Sequence, residues 1–268
     1  MDSFICITGA TGGLGKAFSA ECAVRGWNLL LTDIEENSLV NLAEGLSAAY
    51  RVKVLYYPCD LTDTSSRTEM IEFIKLRKLH FKGLINVAGL DYEGWFSERS
   101  REQIRSLIRL NVEANLEVTH ELLELREKAE TFRIINVASL AAFYPMPVKA
   151  MYSASKRFLL NFSMALREEL RPFNCTVTTL CPAGMPTTEE CIHSIDSQGL
   201  AGRLTTKNVG YVAACTIEAA LKGRAVCIPG IINKFLRFMG ELVPQVTVAR
   251  LIGARWGTLE KKKKTASI

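Results

Sequence analysis

A chain of 268 residues that is 48% apolar and only 23% charged can build one large hydrophobic core, which excludes a disordered polymer. Its formal charge of +5 is concentrated, because Lys261 to Lys264 supply four of those charges; the remainder is too close to neutral for a nucleic-acid surface. Eight cysteines without a C-x-x-C pair, an opening SFICIT with no charged leader and long apolar run ahead of it, and no apolar stretch near the ~18–20 residues of a membrane span lead to an expectation of reduced thiols in a cytoplasmic protein.

Short apolar runs then alternate with longer amphipathic segments. FICIT leads to a helix over 13–26, NLLLT to 35–50, KVLYY to 64–79, GLINVAG to roughly 101–130, RIINVAS to 150–172 and CTVTTL to 206–222, before AVCIP as a seventh strand. Parallel strands need crossover connections, so this order predicts a Rossmann-type, doubly wound parallel α/β sheet of about seven strands with helices on both faces. No linker rich in Pro, Gly or Ser divides the chain, and residues 1–257 read as a single domain. Residues 231–257 are an apolar and basic appendage divided at Pro244, and 258–268 a basic polar tail. Burial against the sheet is the first expectation for the appendage, since apolar stripes are usually buried. A lid over the substrate, a second subunit and a peripheral membrane contact through 231–264 are the alternatives.

Ligands of open α/β sheets bind at the carboxyl ends of the strands. The first such turn is TGATGGLGKA, where Gly9, Gly13 and Gly15 permit close backbone approach to a pyrophosphate at a helix N-terminus. Asp33 ends the second strand, where a carboxylate can accept hydrogen bonds from the adenosine ribose hydroxyls or serve as a helix N-terminal acid. Asp60, in CDLTD, reads equally as an adenine-edge contact and as a turn residue. Asn86 and Gly89 in NVAG and Ser139 in NVAS put polar groups at two further strand ends. In MYSASKRFLL, Tyr152 and Lys156 are four residues apart and share a helix face. His80, His120 and His193 have no metal-like spacing with the cysteines, so no metal is expected.

In order and spacing these stretches resemble the short-chain dehydrogenase/reductase family: the glycine motif from Thr8 to Gly15, Asp60, Asn86 to Gly89, Asn111, Ser139, the Y-x-x-x-K pair Tyr152 and Lys156, and Pro182-Ala183-Gly184. The resemblance runs to about Pro229. Two departures are Val87 in place of a second Asn, and the alanine between Pro182 and Gly184. The family implies a nicotinamide cofactor and a proton relay of Asn111, Ser139, Tyr152 and Lys156. With Asp33 from the reading of the second strand end, the expected cofactor contacts are Thr8, Gly9, Gly13, Leu14, Gly15, Asp33, Asp60, Leu61, Asn86, Ala88, Gly89, Tyr152, Lys156, Pro182 and Gly184. It also implies a homo-oligomer, dimer or tetramer, with the helices around 101–130 and 150–172 as faces.

Reduction of a carbonyl leaves an alkoxide that needs a proton and hydrogen-bond donors where the charge develops. Tyr152 can give that proton, with Lys156 one turn away to stabilise the phenolate. Ser139 would bind the substrate oxygen and Asn111 would hold water leading from Lys156. Asp33 opposes a 2′-phosphate, so NAD is expected over NADP. In the loop 183–205, Met185, Ile192, Ile195 and Leu200 offer apolar surface for a bulky alcohol or ketone of the hydroxysteroid type. The alternatives are a 3-oxoacyl thioester reductase and, in another class, a non-catalytic dinucleotide-binding regulator.

Overall fold

In the first strand, β1 (Ser3–Thr8), the period of two places Phe4 and Cys6 on one face and Ile5 and Ile7 on the other, and all four are buried. A strand buried on both faces belongs in the middle of a parallel sheet covered by helices. The computed structural model, which describes residues 2–187 and 204–254, shows that arrangement. Seven strands run parallel in the order β3-β2-β1-β4-β5-β6-β7, with β2 at Asn28–Asp33, β3 at Val54–Pro58, β4 at His80–Asn86, β5 at Phe132–Val137, β6 at Cys175–Leu180 and β7 at Val226–Cys227.

Helices α1 (Gly13–Val24), α2 (Glu36–Tyr50) and Val209–Leu221, here α7, cover one face, with Leu14, Phe18, Leu39, Leu46, Val212 and Ile217 meeting Ile5, Ile7, Leu29 and Leu31. Helix α3 (Thr64–Leu76) and α5 (Ala114–Glu124) cover the other, where Met70, Ile74, Val118 and Leu122 meet Phe4, Cys6, Leu30 and Leu84. Helix α6 (Ala150–Leu170) completes that layer through Leu166 and Leu170. Strand order reverses between β1 and β4, and the crevice outside their carboxyl ends is where such sheets take ligands.

Two expectations need correction. The helix read over 101–130 is α4 (Arg101–Ile108), a π-turn at Arg109–Glu113 and then α5, which stops at Glu124. It stops because the chain turns to run beside β4: Phe81 N donates to Leu125 O at 3.1 Å and Glu127 N to Phe81 O at 2.7 Å. The appendage does not bury its apolar face against the sheet either. In α8 (Ile231–Leu242) only Asn233 is buried, and past Pro244 a helical stretch at 245–254 buries Val248.

Candidate active site

The crevice is built from backbone that no larger residue could form. Gly9 has a φ of +63°, a region costly to other residues, and a Cβ there would lie 2.8 Å from the Cα and N of Ala88. The β1 and β4 ends are latched together by Thr8, whose Oγ1 accepts from Val87 N at 3.1 Å and Ala88 N at 3.3 Å. A Cβ on Gly15 would meet Gly9 O, and one on Gly13 would come 3.2 Å from Thr187. The first-turn amides of α1, which include Leu14, have no intrahelical acceptor and face the anion position at the helix start. Asp33 is tied beside this turn: Thr11 N and Oγ1 donate to its Oδ2 at 2.9 and 2.6 Å, and Ile34 N donates to Oδ1 at 2.8 Å. A glycine-lined cradle at a helix start beside an anchored carboxylate fits the diphosphate and ribose of a dinucleotide.

Across the crevice, α6 carries Tyr152 and Lys156 on one face. Lys156 is 4% exposed, yet its Nζ reaches the β5 end and donates to Val137 O at 2.9 Å. Burial pushes its pKa down to about 8, with Asp91 and Cys181 opposing. A Cβ on Gly89 would stand 3.1 Å from that Nζ and 3.3 Å from Asn111 Oδ1, so glycine keeps open the space these groups border. Two ammonium groups lie near the Tyr152 ring, with its centroid 5.7 Å from Lys156 Nζ and 5.8 Å from Lys149 Nζ. Burial works against the Lys149 charge, but Asp91 at 2.5 Å and Glu93 at 3.4 Å outweigh it and raise the pKa. Ser139 follows β5 and caps the short turn Leu140–Phe143, its Oγ accepting from Ala141 N at 3.1 Å. The hydroxyl hydrogen remains for another acceptor. Pro182 is buried behind that turn, its carbonyl accepting from Leu140 N at 2.8 Å, while Gly184 is exposed at the rim.

Asn111 sits in the π-turn, fully buried; such single-turn widenings occur often at functional sites. Its Oδ1 accepts from Leu90 N at 2.8 Å, and its Nδ2 donates to Leu90 O at 2.9 Å and Ser155 Oγ at 3.0 Å. The amide therefore fastens the segment after β4 to α6. Three other residues read from the sequence have side chains or neighbours committed elsewhere. Asn86 donates to Thr119 Oγ1 and Asn136 Oδ1 inside the sheet, and Asn136 passes the chain on to Ser163. Asp60 closes a turn on Thr62 N and Oγ1, both at 2.8 Å. Leu61 is buried, and its carbonyl accepts from Arg67, which also binds Glu113 and Glu117. Of the apolar loop residues, Met185 packs against the core, whereas Ile192, Ile195 and Leu200 lie outside the described residues.

Sequence reading missed Thr11, which anchors Asp33, and the Lys149 to Asp91 pair beside Tyr152. Thr11 lay inside the glycine motif and carried a local signal. Lys149 and Asp91 are 58 positions apart, and no spacing rule connects them.

The model of the short chain dehydrogenase family matches residues 3–192. The chain belongs to that family. Short-chain dehydrogenases are NAD(P)-dependent oxidoreductases acting on CH–OH groups. Among relatives, a very-long-chain 3-oxoacyl-CoA reductase of Laccaria bicolor is 31% identical over 176 residues, 65% of this chain and 52% of that one. Human 17-beta-hydroxysteroid dehydrogenase type 3 is 31% identical over 191 residues, 70% of this chain and 60% of that one. The chain thus spans about half the length of the fungal relative and somewhat more of the human one. In a solved structure of a 7beta-hydroxysteroid dehydrogenase, 22% identical, the match has a TM-score of 0.84 and covers 94% of this chain and 96% of that one, which shows the shared fold.

Proposed function

We propose that this short-chain dehydrogenase interconverts a secondary alcohol and a ketone, with Tyr152 as general acid in reduction and general base in oxidation. The observation that carries the reading is the nearness of the Tyr152 ring to two ammonium groups, Lys156 Nζ at 5.7 Å and Lys149 Nζ at 5.8 Å from its centroid, the first of them bordering the space that Gly89 leaves open. A bound nicotinamide supplies the hydride. Thr8, Gly9, Gly13, Leu14 and Gly15 would hold the diphosphate and Asp33 the adenosine ribose. The backbone around Ala88 and Gly89, with Lys156, would border the nicotinamide half.

The residues of the chain do the rest. Oxygen charge developing on the substrate meets the Tyr152 hydroxyl and the free hydrogen of Ser139. Tyr152 gives up its proton, and the phenolate left behind is stabilised by the neighbouring ammonium groups. Asn111 holds the Leu90 segment against α6 and so keeps Lys156 beside the crevice. Tyr144, the other tyrosine of this wall, is pushed up to about 12 by burial, with Glu241 adding, and stays a neutral phenol.

Apolar side chains near Ser139 support a bulky apolar alcohol or ketone as substrate. Phe143 and Tyr144 lie behind Ser139. Trp95 and Phe96, exposed, follow a segment tied to the start of α6 through Gly94 N to Val148 O at 2.8 Å. Hydroxysteroid-type substrates are our first reading. A 3-oxoacyl thioester is the second, favoured by the activity named for the fungal relative. Cofactor turnover with a steroid ketone, a 3-oxoacyl thioester and a small charged aldehyde tests both: preference for the small aldehyde would overturn the apolar reading. Dinucleotide binding without turnover of any substrate would leave the regulator. Exposed Ile108 on α4 and Phe158 and Met164 on α6 support a homo-oligomer, dimer or tetramer, joined on those helices.

NAD is the cofactor this site suits best. The Asp33 carboxylate, fixed by three donors, would repel a 2′-phosphate, and neither Thr32 nor Ile34 offers a cation to it. We expect kcat/KM to favour NAD(H) over NADP(H) by about tenfold or more, the effect of ~1.4 kcal/mol. Asp33→Ala should narrow that gap by a similar factor; steady-state kinetics with both cofactors reads it, and an NADP(H) preference in the unaltered protein would defeat the argument.

A further inference from the structure

Helix α8 is amphipathic, but it is turned outside in. Asn233, Arg237 and Gly240, spaced i, i+4 and i+7, form its inner face. Asn233 is fully buried and donates to Thr205 O at 3.0 Å and Pro229 O at 2.7 Å. The Arg237 guanidinium lies 4.8 Å from the centre of the Phe143 ring, and Gly240 is pressed on Tyr144, whose ring a Cβ there would strike. Ile231, Phe235, Phe238 and Leu242 repeat the same spacing two residues away, half a turn round the helix. They are 84%, 60%, 58% and 63% exposed. Ile232, Leu236 and Met239 widen the stripe at about 40% exposure each. Val246 and Leu251, also exposed, continue it on the stretch after Pro244. A polar and small inner face with a large apolar outer face marks a surface made to be covered.

Charge identifies the cover. Residues 231–268 hold eight of the 33 Lys and Arg and only two of the 28 Asp and Glu, so the whole positive charge of the chain belongs to this segment and residues 1–230 are nearly neutral. A second copy seated on this face by two-fold symmetry would bring a like-charged segment against it. An anionic bilayer answers both features, since interfacial helices bury an apolar face at the headgroup boundary and draw basic residues to anionic lipid. No helix among the described residues is long and apolar enough to cross a membrane.

We propose that α8 is an interfacial docking helix that seats the protein on an anionic lipid surface, with the Phe143–Tyr144 wall of the active site directly behind it. The docking does not depend on the catalytic reading. It adds to that reading a reason for an apolar substrate, which would be dissolved in the same bilayer the helix touches.

Sedimentation of the full chain with phosphatidylcholine vesicles, with and without 30% phosphatidylserine, tests this at about 0.1 and 0.5 M salt. We expect at least tenfold tighter binding to the anionic vesicles and a marked loss at the higher salt. Phe235→Ser with Phe238→Ser should weaken binding at least tenfold without lowering the melting temperature, because both side chains are exposed. Substituting Lys261→Gln, Lys262→Gln, Lys263→Gln and Lys264→Gln together should remove most of the preference for anionic lipid. Absence of binding by the unaltered protein, or equal binding by the double serine variant, would overturn the proposal. So would a dimer in sedimentation equilibrium that the double variant dissociates while vesicle binding is absent; a second copy would then be the occupant.

Discussion

Tyr152→Phe should lower kcat by roughly three orders of magnitude or more with a verified substrate, the upper part of the range that general acid–base catalysis contributes. That corresponds to about 4 kcal/mol of transition-state stabilisation. The substitution removes one oxygen and leaves the ring beside Lys149 and Lys156. Cofactor affinity, measured by fluorescence titration, should therefore change by less than about threefold. The loss should fall on kcat and kcat/KM together, the pattern of a group needed only in the transition state. A phenylalanine variant that turns over at near-normal rates would remove Tyr152 from the chemistry, and with it the reading of this site as a proton-transfer centre.

Lys156→Met should damage activity and, at pH 7, leave the cofactor-free protein more stable. The ammonium is buried, and its pKa in the folded protein is about 8 against 10.5 for an ordinary lysine. A folded state that holds the charge less well than the unfolded chain is penalised wherever the group is charged. Below about pH 8 the penalty is full, of order 3 kcal/mol at ~1.4 kcal/mol for each tenfold change in proton affinity. Between pH 8 and 10.5 the unfolded state binds more protons, so the unaltered protein gains stability as pH rises. Methionine keeps most of the volume and drops the charge, at the cost of the hydrogen bond to Val137 O, about 1 kcal/mol. Urea unfolding should then show the variant ahead at pH 7 and the gap closing towards pH 10.5. Turnover should fall by about 10²-fold or more and cofactor KM should rise, since the same ammonium borders the crevice at Gly89. A variant less stable at every pH would mean that Lys156 is a structural strut. A site that keeps a destabilising charge for its chemistry trades stability for function.

The fold was legible in the sequence because each element carries its own local signal. Strands β1, β4 and β5 are short apolar runs, the helices between them show the helical period, and parallel strands leave only crossover topologies. The glycine turn was legible for the same reason: Gly9, Gly13 and Gly15 are neighbours in the chain, and the requirement for glycine is a local backbone matter. Tyr152 and Lys156 are one helical turn apart, so their shared face followed from spacing alone.

Tertiary structure decided what depends on partners distant in the chain. Asn86 faces the sheet interior because Thr119 and Asn136 meet it there, 33 and 50 residues away. The Asn111 amide is taken up by Leu90 and Ser155, and the second ammonium at Tyr152 is held in place by Asp91, 58 residues from Lys149. The appendage was read as amphipathic, which periodicity reports, but periodicity does not say which face turns inward. That was decided by Phe143 and Tyr144, which receive Arg237 and Gly240 and leave Phe235 and Phe238 outside. A sequence records the faces of an element. Only packing, a sum over contacts between remote residues, selects the face that is buried.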